Sequence, residues 1–167
     1  MAGCDVVFYC VVDARMWLRD SAALFRTNVE GLRHVLDAAL DANLKRFVFT
    51  STNGTLAADH SKLVTEDDPF NWHGVGGPYI ESRVEAENLV LACARDKGLP
   101  AVVMCISTTY GPRDWGPTPH GANLAMVAAG RFPFYLDFSL EVVGIEDGAR
   151  AMILAADRGR VGERYII

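Results

Sequence analysis

The chain has 167 residues and a formal net charge of −5, and half of its residues are hydrophobic. This composition is typical of a folded globular protein and excludes a disordered chain. Acidic and basic residues are interspersed, without a basic patch or a basic amphipathic helix, so we expect neither nucleic acid nor a membrane as partner.

Two further features exclude particular classes of protein. The longest apolar run, residues 6–12, is far shorter than the roughly 18 residues of a membrane-spanning helix. It also has no charged leader before it, so we expect a soluble, cytoplasmic protein. The four cysteines and four histidines are scattered without metal-ligand spacing, so we expect neither a metal site nor a disulfide framework.

The first predicted elements alternate between strand and helix. Residues 5–12 form an unbroken β-rich apolar run, which is typical of a strand buried on both faces of a parallel sheet. Residues 22–42 carry apolar side chains at three- and four-residue spacing, which predicts a helix. Residues 46–52 form the next strand, and this order favours right-handed parallel crossovers.

Three hydroxyl residues, Thr50, Ser51 and Thr52, end that second strand. Polar residues at the carboxyl end of a strand lie where open α/β sheets bind ligands. The alternative is that Ser51 and Thr52 satisfy the backbone of a turn. The following loop, residues 53–77, is long enough to be either functional or mobile.

The helix predicted at 78–97 carries a candidate acid/base pair. Gly77 is expected at its cap and Pro78 at its first position, where the missing N–H costs nothing. Tyr79 and Arg83 are four residues apart, so their side chains lie one turn apart on one face. We expect the arginine charge to lower the tyrosine pKa from about 10. A solvated helix face is the alternative.

The remaining elements complete the pattern of an α/β fold, a doubly wound parallel sheet with flanking helices. Gly98 and Pro100 end the helix. The later predicted elements are a strand at 101–107, a helix at 123–129, a helix opened by Glu146 or Asp147, and a strand at 162–167. The acidic residues suit a helix N-terminus.

This order of motifs resembles the extended short-chain dehydrogenase/reductases, which include nucleotide-sugar epimerases and dehydratases, dihydroflavonol reductases and 3β-hydroxysteroid dehydrogenases. Tyr79-x-x-x-Arg83 is similar to the family's Tyr-x-x-x-Lys, and residues 28–31 are similar to its Asn-Val-x-Gly element. Residues 50–55 resemble the Thr-Ser-Ser-Ala-Gly-Thr of its reductases. The resemblance implies NAD or NADP as cofactor and a small hydroxyl or carbonyl substrate, for which apolar character is one option.

The resemblance also implies roles for particular residues. Tyr79 is the general acid/base, Thr52 orients the substrate oxygen, and Arg83 tunes Tyr79. Asn28 organises the backbone around the site, unless it is merely a polar residue on a helix surface. The other cofactor contacts that the resemblance implies are Val11 and Val12 through their backbone, Thr50, Ser51, Tyr79, Arg83, Ser107 and Thr108.

Two departures from the family pattern affect the expected function. No Gly-x-Gly-x-x-Gly or Gly-x-x-Gly-x-x-Gly occurs, although such glycines allow close backbone approach to the pyrophosphate. We therefore interpret residues 1–167 as a single partial Rossmann-like domain, with part of the substrate region at about 112–141. The strand 5–12 would be an exposed edge, and we expect weak dinucleotide binding. Arg83 replaces a lysine, which puts the ribose contact in doubt.

Two functions from different classes stay open. The first is an NAD(P)-dependent oxidoreductase, incomplete as given; sugar-nucleotide epimerase or dehydratase chemistry would use the same Thr/Tyr pair. The second is a non-catalytic remnant or association domain. Helices 22–42 and 78–97 match those of the family's four-helix dimer interface, so the resemblance implies a homodimer through them.

Overall fold

A computed structural model describes residues 1, 3–16, 18–134, 137 and 139–167, and in them strands and helices alternate. The elements are β1 (Val6–Tyr9), α1 (Ala22–Phe25), a π-helical segment (Arg26–Glu30), α2 (Gly31–Asp41), β2 (Arg46–Thr52), a 3-10 turn (Asn53–Thr55), α3 (Gly77–Lys97), β3 (Ala101–Ile106), β4 (Thr108–Tyr110), α4 (Pro119–Ala128), β5 (Val142–Gly144), α5 (Ile145–Arg158) and β6 (Arg164–Ile166).

Four strands form a parallel sheet in the order β1-β2-β3-β6. Between β2 and β3, Phe49 lies opposite Val103 and Thr52 lies opposite Ile106, so the carboxyl ends of the two strands lie side by side. Parallel neighbours require crossover connections, and α1–α2, α3 and α5 supply them. The predicted α/β fold with a parallel, helix-flanked sheet is confirmed.

The core has two layers because side chains alternate between the faces of the sheet. On one face, α2 and α3 pack on β2 and β3 through Leu32, Leu36, Ala86, Val90, Phe47, Phe49 and Val103. On the other face, α5 packs through Ala155 against Val48, Val102 and Met104. The central strands β2 and β3 are therefore buried on both faces.

The first strand differs from its prediction. It is shorter than residues 5–12 and is not buried on both faces, since Val6 and Phe8 are 38% and 44% exposed. The helix on that face, α5, packs on β2 and β3 instead. Among the residues that the structure describes, β1 pairs with β2 alone, so it is an edge strand, as predicted.

Two helices also differ from their predictions. The helix predicted at 22–42 is interrupted by the π-helical segment, in which Asn28 and Val29 are both buried. The helix predicted at 123–129 begins earlier, at Pro119, because the Thr118 hydroxyl accepts the N–H of Gly121 as an N-cap. Glu146 and Asp147 lie in the first turn of α5, as predicted.

A second, two-stranded parallel sheet pairs β4 with β5, and the sequence did not predict β4 as a strand. It lies beside the predicted substrate region, of which Tyr135, Leu136 and Phe138 are outside the described residues. Among the described helices, none is long and apolar enough to cross a membrane.

Candidate active site

A cavity of about 520 Å³ lies at the carboxyl ends of β2 and β3. Its volume is in the range of small-molecule sites. The predicted site residues that line it are Thr50, Ser51, Thr52, Tyr79, Ser107 and Thr108. Residues far apart in the chain meet here because parallel strands end at the same edge of the sheet.

The hydroxyl residues of β2 divide between the two faces of the sheet. Ser51 is buried and donates its hydroxyl hydrogen to Glu87 Oε2 in the core. Thr52 Oγ1 accepts the N–H of Gly54 at 3.3 Å, so it caps the 3-10 turn and also lines the cavity. Thr52 therefore satisfies the backbone of the turn, as one interpretation has it, and its role toward a substrate stays a prediction.

The turn after Thr52 lies close to the first turn of α3. A Cβ atom at Gly54 would be 2.6 Å from Ile80 Cδ1, so a larger residue at position 54 would require the Ile80 side chain to move. Ile80 directly follows Tyr79. The turn after Thr52 therefore packs against the residue next to Tyr79.

Tyr79 is half-buried in the first turn of α3. Burial raises the pKa of Tyr79 above its usual value of 10.0, and the positive charge of Arg83 opposes this rise without overcoming it. The charge of Arg83 acts on the Tyr79 pKa in the predicted direction, but the net pKa does not fall below its usual value, because removing the phenolate from water outweighs the nearby charge. The phenol is protonated at neutral pH.

The guanidinium of Arg83 lies behind the cavity. Arg83 is 2% exposed, donates from Nη2 to the Thr50 carbonyl, and lies 5.0 Å from the centre of the Phe49 ring. Its Nε and Nη1 have no hydrogen-bond partner among the described residues. Arg83 does not line the cavity with Tyr79, so the structure does not bring this predicted cofactor contact to the site.

Asn28 joins the segment after β1 to α3. Its Oδ1 accepts the Asp13 N–H at 2.8 Å, and its Nδ2 donates to the Asp13 carbonyl and to Ser82 Oγ, both at 3.0 Å. Ser82 in turn donates to the Tyr79 carbonyl at 2.7 Å. Asn28 is 1% exposed, which excludes the alternative of a polar residue on a helix surface.

Val11 and Val12 are 56% and 43% exposed and do not line the cavity. Cys10, which the sequence analysis did not select, lines it instead, with Sγ 3.3 Å from Thr50 Oγ1. Tyr9 pairs with Phe49 in the sheet, so Cys10 and Thr50 lie side by side, and only the structure provides this register. Met152 of α5 also lines the cavity, and nothing in the sequence indicated it.

The lining of the cavity has the chemistry to hold one end of a nicotinamide dinucleotide. Hydroxyl groups of Thr50, Thr52 and Ser107 alternate there with the apolar side chains of Ile106 and Met152. This combination of an apolar wall and a few polar groups suits a flat, amide-bearing ring. The residues present therefore fit the nicotinamide end of the cofactor, although Arg83 is placed elsewhere.

Comparison with known proteins identifies the family. All 167 residues match the model of the NAD dependent epimerase/dehydratase family. The chain belongs to this family. The predicted resemblance to the extended short-chain dehydrogenase/reductases is thereby confirmed.

Relatives in the epimerase/dehydratase family carry out several kinds of chemistry. A 4-hydroxy-2-methyl-3-oxo-4-farnesyl-3,4-dihydroquinoline-1-oxide ketoreductase from Stigmatella aurantiaca is 34% identical over 100% of this chain and 49% of its own length. A dTDP-glucose 4,6-dehydratase from Streptomyces griseus is 31% identical over 100% of this chain and 52% of its own length. The chain thus spans about half the length of these relatives.

A solved structure of a related enzyme shows the same fold. The dTDP-glucose 4,6-dehydratase DesIV from Streptomyces venezuelae, crystallised with NAD and DAU, is 26% identical and matches with a TM-score of 0.85. The match covers 99% of this chain and 52% of the DesIV chain.

Proposed function

We propose that this chain forms part of an NAD(P)-dependent oxidoreductase that interconverts a hydroxyl and a carbonyl group on a small molecule. The observation that carries the proposal is the convergence of Tyr79 and Thr52 on one cavity at the carboxyl edge of the sheet. A neutral phenol and a hydroxyl beside one cavity can both donate hydrogen bonds to a carbonyl oxygen.

In the direction of carbonyl reduction, the Tyr79 phenol donates its proton to the substrate oxygen, and the Thr52 hydroxyl orients that oxygen. The raised pKa of Tyr79 keeps the phenol protonated for this step. Thr50, Ser107 and Thr108 would hold NAD or NADP, which supplies hydride chemistry when bound. Arg83 acts on Tyr79 through its charge.

The full-length protein that carries this chain provides the test. Purified protein is incubated with NADH or NADPH and a panel of ketones and aldehydes that includes apolar ones, and consumption of the reduced cofactor is followed by absorbance. Tyr79→Phe is expected to lower the rate by about 10²–10⁴-fold. Equal rates in the wild type and the variant would exclude this role of Tyr79.

A second candidate is sugar-nucleotide epimerase or dehydratase chemistry, favoured by the similarity to dTDP-glucose 4,6-dehydratases. The two candidates differ in stoichiometry. A reductase consumes one reduced cofactor for each product molecule, whereas epimerisation or loss of water changes the sugar with no net change in cofactor. Chromatography of a dTDP-glucose reaction, with cofactor absorbance followed in parallel, separates them. No turnover in either assay would favour the association domain.

We further propose a homodimer through the helices predicted at 22–42 and 78–97. In the structure α2 and α3 lie side by side, joined by Arg33 and Glu85 at 3.3 Å. A shallow depression on this surface is lined in part by Phe25, Val84 and Leu89. Light scattering coupled to size-exclusion chromatography should give twice the monomer mass, and Leu89→Glu, at a partly exposed residue, should reduce the measured mass to that of the monomer.

A further inference from the structure

A buried ion pair lies outside the cavity that Tyr79 lines. Glu87 of α3 and Arg164 of β6 are joined by Oε1 and Nη1 at 2.9 Å, and their side chains are 4% and 16% exposed. Neither residue lines the candidate active site. A buried ion pair contributes little net stability, because losing water costs each ion about as much as their attraction returns.

The second oxygen of Glu87 faces the end of β2. It accepts the Ser51 hydroxyl and lies 2.7 Å from Thr55 Oγ1. The Thr55 hydroxyl is also 2.7 Å from the Thr52 carbonyl oxygen, so its one proton is shared between Glu87 and the backbone of Thr52. Burial raises the pKa of the neighbouring Cys105 thiol to about 12, so the carboxylate has no thiolate beside it at neutral pH.

Arg164 holds the long loop from the other side. Its Nε donates to the Glu66 carbonyl at 2.7 Å and its Nη2 donates to the Asp68 carbonyl at 2.8 Å. The Glu66 carboxylate accepts the Ile166 N–H at 3.0 Å. The loop that the sequence predicted to be functional or mobile is therefore fixed to β6 midway along its length.

These contacts hold the start and the middle of one loop. The loop begins directly after Thr52 and ends at the helix that carries Tyr79. Glu87 holds the first end through Ser51 and Thr55, and it lies on the same helix as Tyr79, eight residues further along. We propose that Glu87, held in place by Arg164, is a positioning residue that sets Thr52 relative to Tyr79.

The proposal rests on the proposed function, in which Thr52 and Tyr79 contact one substrate oxygen. Both side chains must reach that oxygen together, and a displacement of about 1 Å in such a geometry can lower the rate by about 100-fold. Two hydroxyl groups contact one oxygen of the Glu87 carboxylate and the guanidinium of Arg164 contacts the other. Such a buried network rigidifies the turn, since it favours one arrangement of its members.

Thr55 offers a matched pair of variants. Thr55→Val keeps the shape of the side chain and removes the hydroxyl, whereas Thr55→Ser keeps the hydroxyl. In the full-length protein, Thr55→Val should lower kcat by about 10-fold or more with KM unchanged, and Thr55→Ser should retain the wild-type kcat. Glu87→Gln should resemble Thr55→Val, and Glu163→Gln, at an exposed glutamate away from the cavity and from α2 and α3, should have no effect.

Amide hydrogen exchange provides a readout that needs no activity. The Gly54 N–H donates to Thr52 Oγ1 and the Leu56 N–H donates to the Asn53 carbonyl. In Thr55→Val and Glu87→Gln these two amides should exchange about 10-fold faster, while the amides of α2 exchange as in the wild type.

The exchange and kinetic results distinguish a failure of the positioning role of Glu87 from a failure of the proposed function. If the wild type turns over no carbonyl substrate, local acceleration confined to the turn still supports the positioning role of Glu87. Unchanged exchange at Gly54 and Leu56 in both variants overturns it. A loss of kcat that is equal in Thr55→Val and Thr55→Ser, and that follows the fraction of unfolded protein, also overturns it.

Discussion

A phenol that is half-buried holds its proton to a higher pH than one in water, and Tyr79 is such a group. Its protonation state at neutral pH favours proton donation to a carbonyl over proton removal from an alcohol. In the proposed function, the neutral phenol therefore suits the step in which a carbonyl is reduced at neutral pH.

The raised pKa of Tyr79 predicts a pH dependence for alcohol oxidation, in which the phenolate is the base. The phenolate fraction rises about tenfold for each pH unit below the pKa, so log kcat should rise with a slope of about 1 between pH about 7 and about 9. Steady-state kinetics of the full-length protein with NAD(P) measures this slope. A plateau that begins near neutral pH would show that the pKa is lowered, as the sequence suggested.

The burial of Arg83 disfavours the charged form of its side chain. Burial lowers the pKa of Arg83, and electrostatic interactions with Tyr79 and Glu87 oppose that decrease. Two buried nitrogen atoms of Arg83 lack a partner among the described residues, so the side chain costs folding free energy that its bond to the Thr50 carbonyl only partly offsets.

Replacing Arg83 should therefore lower the rate of alcohol oxidation without lowering the stability of the fold. Arg83→Met is expected to leave the free energy of unfolding unchanged or to raise it by up to about 2 kcal/mol. The same change should raise the Tyr79 pKa further and slow alcohol oxidation at neutral pH. Urea denaturation measures the free energy of unfolding, and steady-state kinetics measures the rate of alcohol oxidation. Arg33→Met, at an exposed ion pair, is the control, and a loss of more than about 1 kcal/mol in Arg83→Met would contradict the prediction.

At the scale of the element, the π-helical segment has a clear structural use. It interrupts the helix where Asn28 faces inward, and the three hydrogen bonds of Asn28 fix the backbone of Asp13 and the side chain of Ser82. Such wide turns often lie at functional sites. Here the turn connects the end of β1 to the helix of Tyr79.

Removing the Asn28 amide should weaken its connection to the Asp13 backbone and its connection to Ser82 in α3. Asn28→Ala is expected to lower the free energy of unfolding by about 1–3 kcal/mol, because it leaves buried backbone groups without a partner. The Asp13 amide should exchange faster than the amides of β2. Denaturation and hydrogen exchange measure these effects, with the exposed Asn88→Ala as control; equal stabilities of the two variants would refute the assigned role.

For the whole molecule, β1 is the exposed edge of the sheet that the structure describes. Phe8 and Val6 add apolar surface beside the unpaired backbone groups of this strand, and such an edge is a template for pairing with other chains. The interpretation of residues 1–167 as one partial domain stays a prediction.

Charging this edge should reduce self-association of the 167-residue chain. Phe8→Lys is expected to lower the concentration-dependent light scattering, because an exposed charge on an edge strand opposes strand pairing. Phe8→Leu keeps the surface apolar and is the matched control. Similar scattering from the two variants would show that association uses another surface.

The sequence by itself determined the fold class, the order of most elements and the family. Long apolar strands and regular helical spacing report burial locally, and Thr52, Tyr79 and Asn28 lie within motifs that can be read from neighbouring residues. The sequence also suggested that β1 would be an edge. These conclusions need no knowledge of which distant residues meet.

Only the tertiary structure decided how those residues behave. The Tyr79 pKa depends on burial by several segments, so the four-residue spacing to Arg83 indicated the nearby charge but not the larger cost of desolvation. The displacement of Arg83 from the cavity, the place of Cys10 and the convergence of Arg164 on Glu87 likewise depend on packing between elements. Burial and long-range contacts are properties of the assembled chain, and local sequence patterns do not report them.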